Sequence, residues 1–168
     1  SDGGQTSPSG NVQYKSRPAY FNKKNILHNF IKHFTNDNLY IVADNVSNDS
    51  LQYLYSLVKS PEYIIQTDYK SGALSFLHSV RYIIDKAKLN NWSNDTLLYF
   101  VEDDYLHLPE SLTCLMEGIK ASSYVSLYDH PDKYGHMYDF GEVTKVFKTE
   151  SSHWKNSIST CMTFASTV

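Results

Sequence analysis

The sequence predicts an α/β fold, a mostly parallel sheet flanked by helices with an antiparallel C-terminal extension. Three observations predict it. Short apolar runs suited to buried strands alternate with helical stripes between residues 12 and 128. The runs before Asp44 and Glu102 end in acids, at the strand edge where parallel sheets carry their ligands. Beyond residue 135, "EVTKVFKT" and "SISTCMTFAS" follow one another without a helical stripe between them, which suggests antiparallel strands.

The elements follow in order. Residues 1–11, rich in Ser, Gly, Pro and Asp, have almost nothing to bury and read as a flexible lead-in. A first strand is expected over residues 12–15. Ile26, Leu27, Phe30, Ile31 and Phe34 then recur at helical spacing. "LYIVADN", residues 39–45, reads as a buried strand, and Leu51, Leu54, Tyr55 and Val58 mark a short helix after it. "EYIIQTD" repeats the strand signal. The strongest helical stripe is Ala73, Phe76, Leu77, Val80, Ile83, Ile84 and Ala87. Residues 97–101 form the next strand. Pro109 suits the first turn of a helix carrying Leu112, Leu115, Met116 and Ile119 on one face. "SYVSLY", residues 123–128, is read as a further strand.

Composition narrows the classes of function. With 168 residues, 41% of them hydrophobic, one domain with a substantial core is expected. A net charge of −3 gives no broad basic field, so wholesale nucleic-acid binding is not expected. No apolar run approaches the roughly 20 residues needed to cross a bilayer, and the first residues lack a signal-peptide pattern. The chain therefore reads as soluble as given, with the cytoplasm as its expected compartment. Cys114, in an expected helix, and Cys161, in an expected strand, read as buried thiols rather than a disulfide framework or a metal-binding pair.

The chemistry concentrates in "LLYFVEDDYLHLPESL", where a buried strand runs directly into Glu102, Asp103 and Asp104. Adjacent carboxylates repel one another, and in a low-dielectric setting each must protonate or find a cation. A divalent ion with a preference for oxygen ligands, Mn²⁺ or Mg²⁺, satisfies them together and keeps positions for water and phosphate oxygens. In an extended segment Glu102 and Asp104 point to one side and Asp103 to the other. The plainer alternative is a solvated turn whose acids cap the following helix.

"LLYFVEDDYLHLPESL" followed by "YVSLYDHPDKY" resembles the metal-binding strand and next strand of nucleotide-sugar glycosyltransferases of the GT-A fold, whose acidic motif is Asp-x-Asp with Glu allowed. The resemblance spans residues 12–165 in order. It includes "YKSRPAYFNKKNILHNF", "IVADN" and "KSGALSFL". It implies a GT-A-like glycosyltransferase domain over residues 12–168 that transfers a hexose from a nucleotide-diphosphate sugar, UDP-linked by expectation. The acceptor would be a hydroxyl of a glycan, lipid or protein.

Residue by residue, the resemblance implies Asp104 as the direct metal ligand, Glu102 near the metal or the donor ribose, and Asp103 near the donor sugar. It implies that Arg17 meets the diphosphate or base, against a surface charge before Pro18. Asp44 would contact uridine or ribose, against a helix-capping role near Ser47. Lys70, Ser71 and Gly72 open the long helix, where phosphate or ribose could meet its amino end, although Gly72 also suits a tight turn. Arg81, one turn from His78, could reach the nucleotide or sit in a helix-face salt bridge. Asp129, His130, Asp132 and Lys133 follow the fifth strand, near donor sugar and acceptor in the family or simply in a polar turn. His153 could move a proton or bind metal, and Trp154 could stack on a sugar or pack in a hairpin.

The departure lies at the end. Inverting members carry an acidic base beyond the region of "STCMTFAS", and this chain stops at Val168. The resemblance thus implies a truncated C-terminus, a base supplied by Asp129, Asp132, Glu142 or His153, or a retaining mechanism. Two rivals stand beside it: a non-catalytic nucleotide-sugar or glycan-binding domain of the same fold, and a sugar nucleotidyltransferase. The second would carry a Gly-rich phosphate loop, and "YKSRPAYFNKK" has no glycine.

Overall fold

Apolar spacing and local capping set the elements of the computed structural model, which describes residues 5–6, 12–13, 19–35, 37–129, 134 and 143–168. The chain divides into two compact units, Ser1–Asn25 with Phe34–Asn91, and Ile26–His33 with Trp92–Val168.

In the first unit β1 (Gln5–Thr6) pairs antiparallel with β2 (Val12–Gln13), so two residues of the expected flexible lead-in are paired instead. Residues 14–15 of the expected first strand lie outside the described residues. α1 (Lys23–Phe34), of which Ile26–His33 belongs to the second unit, begins where the Asn22 carbonyl accepts the Lys24 and Asn25 amides at 2.9 and 3.3 Å, a side-chain N-cap. β3 (Ile41–Asp44) lies parallel to β4 (Ile64–Thr67), Ile41 opposite Ile64 and Asp44 opposite Thr67. Parallel neighbours need a crossover. Here it contains α2 (Asn48–Tyr55), capped by Ser47, and a 3₁₀ turn, Pro61–Tyr63. α3 (Gly72–Leu89) starts at the Ser71 cap, whose hydroxyl accepts the Leu74 amide. It packs against β3. Ala43, Ile64 and Ala87 form the buried centre. Around them Tyr40 meets Tyr63 and Tyr82 at 4.8 and 5.9 Å between ring centroids.

The second unit is organised by β8 (Phe164–Thr167). One edge of β8 pairs antiparallel with β5 (Leu97–Phe100), from Leu97 opposite Thr167 to Phe100 opposite Phe164. On its other edge Ala165 exchanges both backbone hydrogen bonds with Val125, at 2.7 and 3.0 Å. Ala165 is consequently fully buried, together with Leu115 of α4 (Ser111–Ala121), which packs on β8. Among the described residues every sheet has two strands, and β3–β4 is the parallel pair.

Three expectations are corrected. Residues 123–128 do not form a strand; only Val125 bridges. The Ser126 hydroxyl donates to the Thr163 carbonyl at 2.7 Å and accepts the Tyr128 amide at 3.1 Å, so a side chain takes the place of the ladder. Pro109 precedes the helix rather than entering it. The Ser111 amide reaches the Leu108 carbonyl at 3.1 Å, and Glu110 has φ −84° and ψ 2°, which makes residues 108–111 a type I turn with Pro at its second position. Cys114 is buried as expected, but Cys161 is exposed and lies outside any strand.

β6 (Val146–Lys148) and β7 (His153–Lys155) form a hairpin held against α4. Glu117 accepts the Ser151 amide and hydroxyl at 3.0 and 2.8 Å. The hydrogen bonds from Ser151 and Thr149 hold the Glu117 carboxyl below its ordinary pKa. Trp154 donates its indole N–H to the Thr149 hydroxyl at 3.1 Å and lies over Gly118. A Cβ at Gly118 would meet that indole at 2.8 Å and Val125 at 3.0 Å. Trp154 is thus a packing residue in this unit.

Gly118→Ala therefore pits roughly 1 kcal/mol of gained helix propensity against an overpacking cost of about 1–3 kcal/mol. The indole cannot swing away without losing its Thr149 bond, so a net loss of stability is expected. Urea melts followed by tryptophan fluorescence in a Trp92→Phe background should show an earlier transition and a red-shifted Trp154. An unchanged melt with an unshifted spectrum would contradict the packing.

Candidate functional site

Glu102, Asp103 and Asp104 follow β5 after Val101, and the chain is held at the first of them. The Glu102 amide donates to the Thr163 hydroxyl at 3.3 Å, and Thr163 is 1% exposed. Burial then alternates: Glu102 is half-buried, Asp103 exposed and Asp104 half-buried. Tyr105 reports on the two half-buried acids. Burial pushes its phenol well above the ordinary value, and the Glu102 carboxylate, Cys161, Tyr128 and the Asp104 carboxylate push it further. Both carboxylates therefore act on one phenol. Its ring meets Tyr128 edge to face, with centroids 5.4 Å apart.

Among the described residues no three His, Cys, Asp or Glu side chains are grouped so as to hold a metal ion. Asp129 and His153 thus do not complete a ligand set with Glu102 and Asp104. Glu102 and Asp104 offer oxygen donors of the type that Mg²⁺ or Mn²⁺ takes together with phosphate oxygens and water.

Beside the acids, and sharing Tyr105, a cleft of about 200 Å³ is lined by Tyr99, His107, Glu110, Ser111 and Tyr128 among others. His107 is its best-fixed member, and no motif in the sequence marks it. Its amide donates to the Asn29 side-chain carbonyl at 2.7 Å, and the Asn29 side-chain N–H returns to the His107 carbonyl at 3.0 Å. The imidazole Nε2 shares a hydrogen bond with the Tyr99 hydroxyl at 2.8 Å, and the ring stands edge-on to both Phe30 and Tyr99. Burial, and then His33, lower the His107 pKa, while burial raises that of Tyr99, so both rings stay neutral. In the structure the expected burial is reversed here: His107 is 6% exposed between Leu106 and Leu108 at 71% and 67%, which hydrophobicity along the sequence does not signal.

In the first unit Asp44 is buried, and its carboxylate is occupied by its own chain. It accepts the Thr67 hydroxyl at 2.9 Å, the Tyr69 amide at 2.7 Å and the Ser71 amide at 3.2 Å. Burial alone would raise its pKa, but the hydrogen bonds from Thr67, Tyr69, Ser75 and Ser71 outweigh it and hold the carboxyl below the ordinary range. Capping near Ser47, one of the two expected roles, is not what Asp44 does; it shapes the turn that leads into α3. Within that turn Lys70 adopts φ 53°, is exposed, and lies 3.7 Å from Asp68. Gly72 and Arg81 are exposed on α3. His78 takes a hydrogen bond with the Tyr69 hydroxyl at 2.9 Å and stacks on Tyr82, a local aromatic role.

Asp129 is exposed and hydrogen-bonded to Tyr134, whose phenol that bond raises. His153 is exposed on β7. Arg17, His130, Asp132, Lys133 and Glu142 lie outside the described residues. No helix among the described residues is long and apolar enough to cross a membrane. No protein-family profile matches the chain, and no curated protein or solved structure is significantly similar to it.

Two pH dependences follow. Because the folded pKa of Asp44 lies below its ordinary 3.8, its contribution is complete above that pH and is lost as pH falls through the lower folded value. Asp44→Asn should cost about 1.5–3 kcal/mol at neutral pH, and urea melts should show that difference shrinking in acid. A constant difference would contradict the assignment. The folded pKa of His107 lies below its ordinary 6.5, so its contribution is complete above 6.5 and is lost as pH falls through the lowered value. His107→Gln should be less stable than wild type at neutral pH yet flatter in stability down to about pH 5; a parallel decline of the two would contradict a neutral buried imidazole.

Proposed function

We propose that this chain is a metal-dependent glycosyltransferase of the GT-A fold, moving a hexose from a UDP-linked or similar nucleotide-diphosphate donor to an acceptor hydroxyl. The observation that carries the reading is the placement of Glu102 and Asp104, half-buried where β5 ends, with the main chain pinned by Thr163. The parallel β3–β4 unit, with its helical crossover, is the kind of framework the fold requires.

In this reading Asp104 holds Mn²⁺ or Mg²⁺ directly and Glu102 supports it or meets the ribose. When bound, the ion supplies Lewis-acid stabilisation of the diphosphate that leaves. Asp103, exposed beside them, faces the sugar side. Asp44 serves by fixing the turn that presents Lys70 and the amino end of α3, not by contacting the nucleoside with its occupied carboxylate. Asp129 and His153 are the described residues available to assist the acceptor hydroxyl.

A thermal-shift series with UDP, GDP and ADP, each with and without Mn²⁺, tests the reading. Stabilisation should require nucleotide and metal together, reaching about 2.7 kcal/mol at 100 times the dissociation constant. Asp104→Asn should abolish it and leave the unliganded melt unchanged. A shift that survives Asp104→Asn, or one that ignores the metal, would sink the assignment. Hydrolysis of the matching donor sugar then separates an enzyme from a domain that only binds.

A further inference from the structure

The cleft beside the acid run has a chemistry of its own. Its volume of about 200 Å³ is below the roughly 300–1,000 Å³ of drug-sized sites and suits a single six-membered ring. Tyr105 and Tyr128 meet with their planes at 88°, so the two rings make a corner rather than a stack. Tyr99 and His107 form a second perpendicular pair, at 90°. Leu106 and Leu108 stand exposed at the rim.

The polar groups select by charge. None of the described lining residues is Lys or Arg, and Glu110 stands exposed among them, so an anionic occupant meets repulsion and no counter-charge. The Tyr99 hydroxyl is shared with the His107 imidazole at 2.8 Å. The Ser111 hydroxyl lies in a buried residue at the base of α4. An occupant that fits carries no negative charge, is one ring in size, has an apolar face for the aromatic rings and is furnished with hydroxyls for the Ser111 and tyrosine hydroxyls. A pyranose has these properties: its axial C–H groups lie against aromatic faces and its hydroxyls reach phenols and serine.

We propose that this cleft is a pyranose subsite that takes one uncharged hexose unit. The assignment rests on the glycosyltransferase reading for its biological sense, but not for its physical test. Binding of a free neutral glycoside requires neither nucleotide nor metal, and glycosides bearing a carboxylate are turned away by Glu110.

Saturation-transfer NMR on the full chain tests this with the methyl glycosides of glucose, galactose and mannose, with methyl glucuronide and with phenol. At least one neutral glycoside should receive saturation at its ring C–H protons in the absence of nucleotide and metal. Tyr128→Leu should weaken that binding by about two- to tenfold. Glu110→Gln, at a position whose side chain makes no capping bond, should keep the neutral glycoside and admit the glucuronide. Silence from every neutral glycoside overturns the proposal, as does binding unchanged in Tyr128→Leu, or phenol binding where the glycosides do not. Should Tyr128→Leu fail to fold, the Glu110→Gln result decides: continued exclusion of the glucuronide overturns the charge argument. Glycoside binding without any nucleotide–metal shift would leave the subsite standing and remove the transferase reading; the reverse result would remove the subsite alone.

Discussion

One buried hydroxyl ties the second unit together. Thr163, at the start of β8, accepts the Glu102 amide while its carbonyl takes the hydroxyls of Ser126 and Thr160. β8 is flanked by β5 on one side and bridged by Val125 on the other, so three separate stretches of chain converge on a residue that is 1% exposed. The strand carrying the acids therefore ends at a fixed point. The Glu102 amide is thereby held beside a buried residue, while the side chains that follow are half-buried at Glu102 and Asp104 and exposed at Asp103.

The first unit solves a different problem with tyrosine. Tyrosine rings add to the aliphatic side chains of the parallel pair and its helices, and their hydroxyls find partners at the periphery: Tyr55 with Gln66 at 2.9 Å and Tyr69 with His78 at 2.9 Å. A phenol buries a ring and still satisfies its polar tip, which lets a polar chain build a core. Asp44 adds a polar knot in which one carboxylate orders the turn into α3.

Much of the local structure was legible because periodicity is a local signal. The stripes at Ile26 to Phe34 and Ala73 to Ala87 became α1 and α3, and the apolar runs before Asp44 and Glu102 became β3 and β5. What failed depended on partners remote in sequence. Residues 123–128 have strand composition, but the Ser126 side chain is captured by Thr163, 37 residues away. Asn29 and His107 bind each other across 78 residues, and nothing near either residue announces it. Asp44 was placed at its strand end, while the donors that occupy it lie 23 to 27 residues on. Position is written locally; occupancy is not.

The most direct test of the acid run is paramagnetic relaxation by Mn²⁺ on the assigned amide spectrum of the protein. With UDP present, trace Mn²⁺ should broaden the amides of Glu102, Asp103, Asp104 and Tyr105 first, and without UDP that selectivity should weaken sharply. Broadening that spares those four amides, or that spreads evenly over exposed acids with or without UDP, would contradict the account.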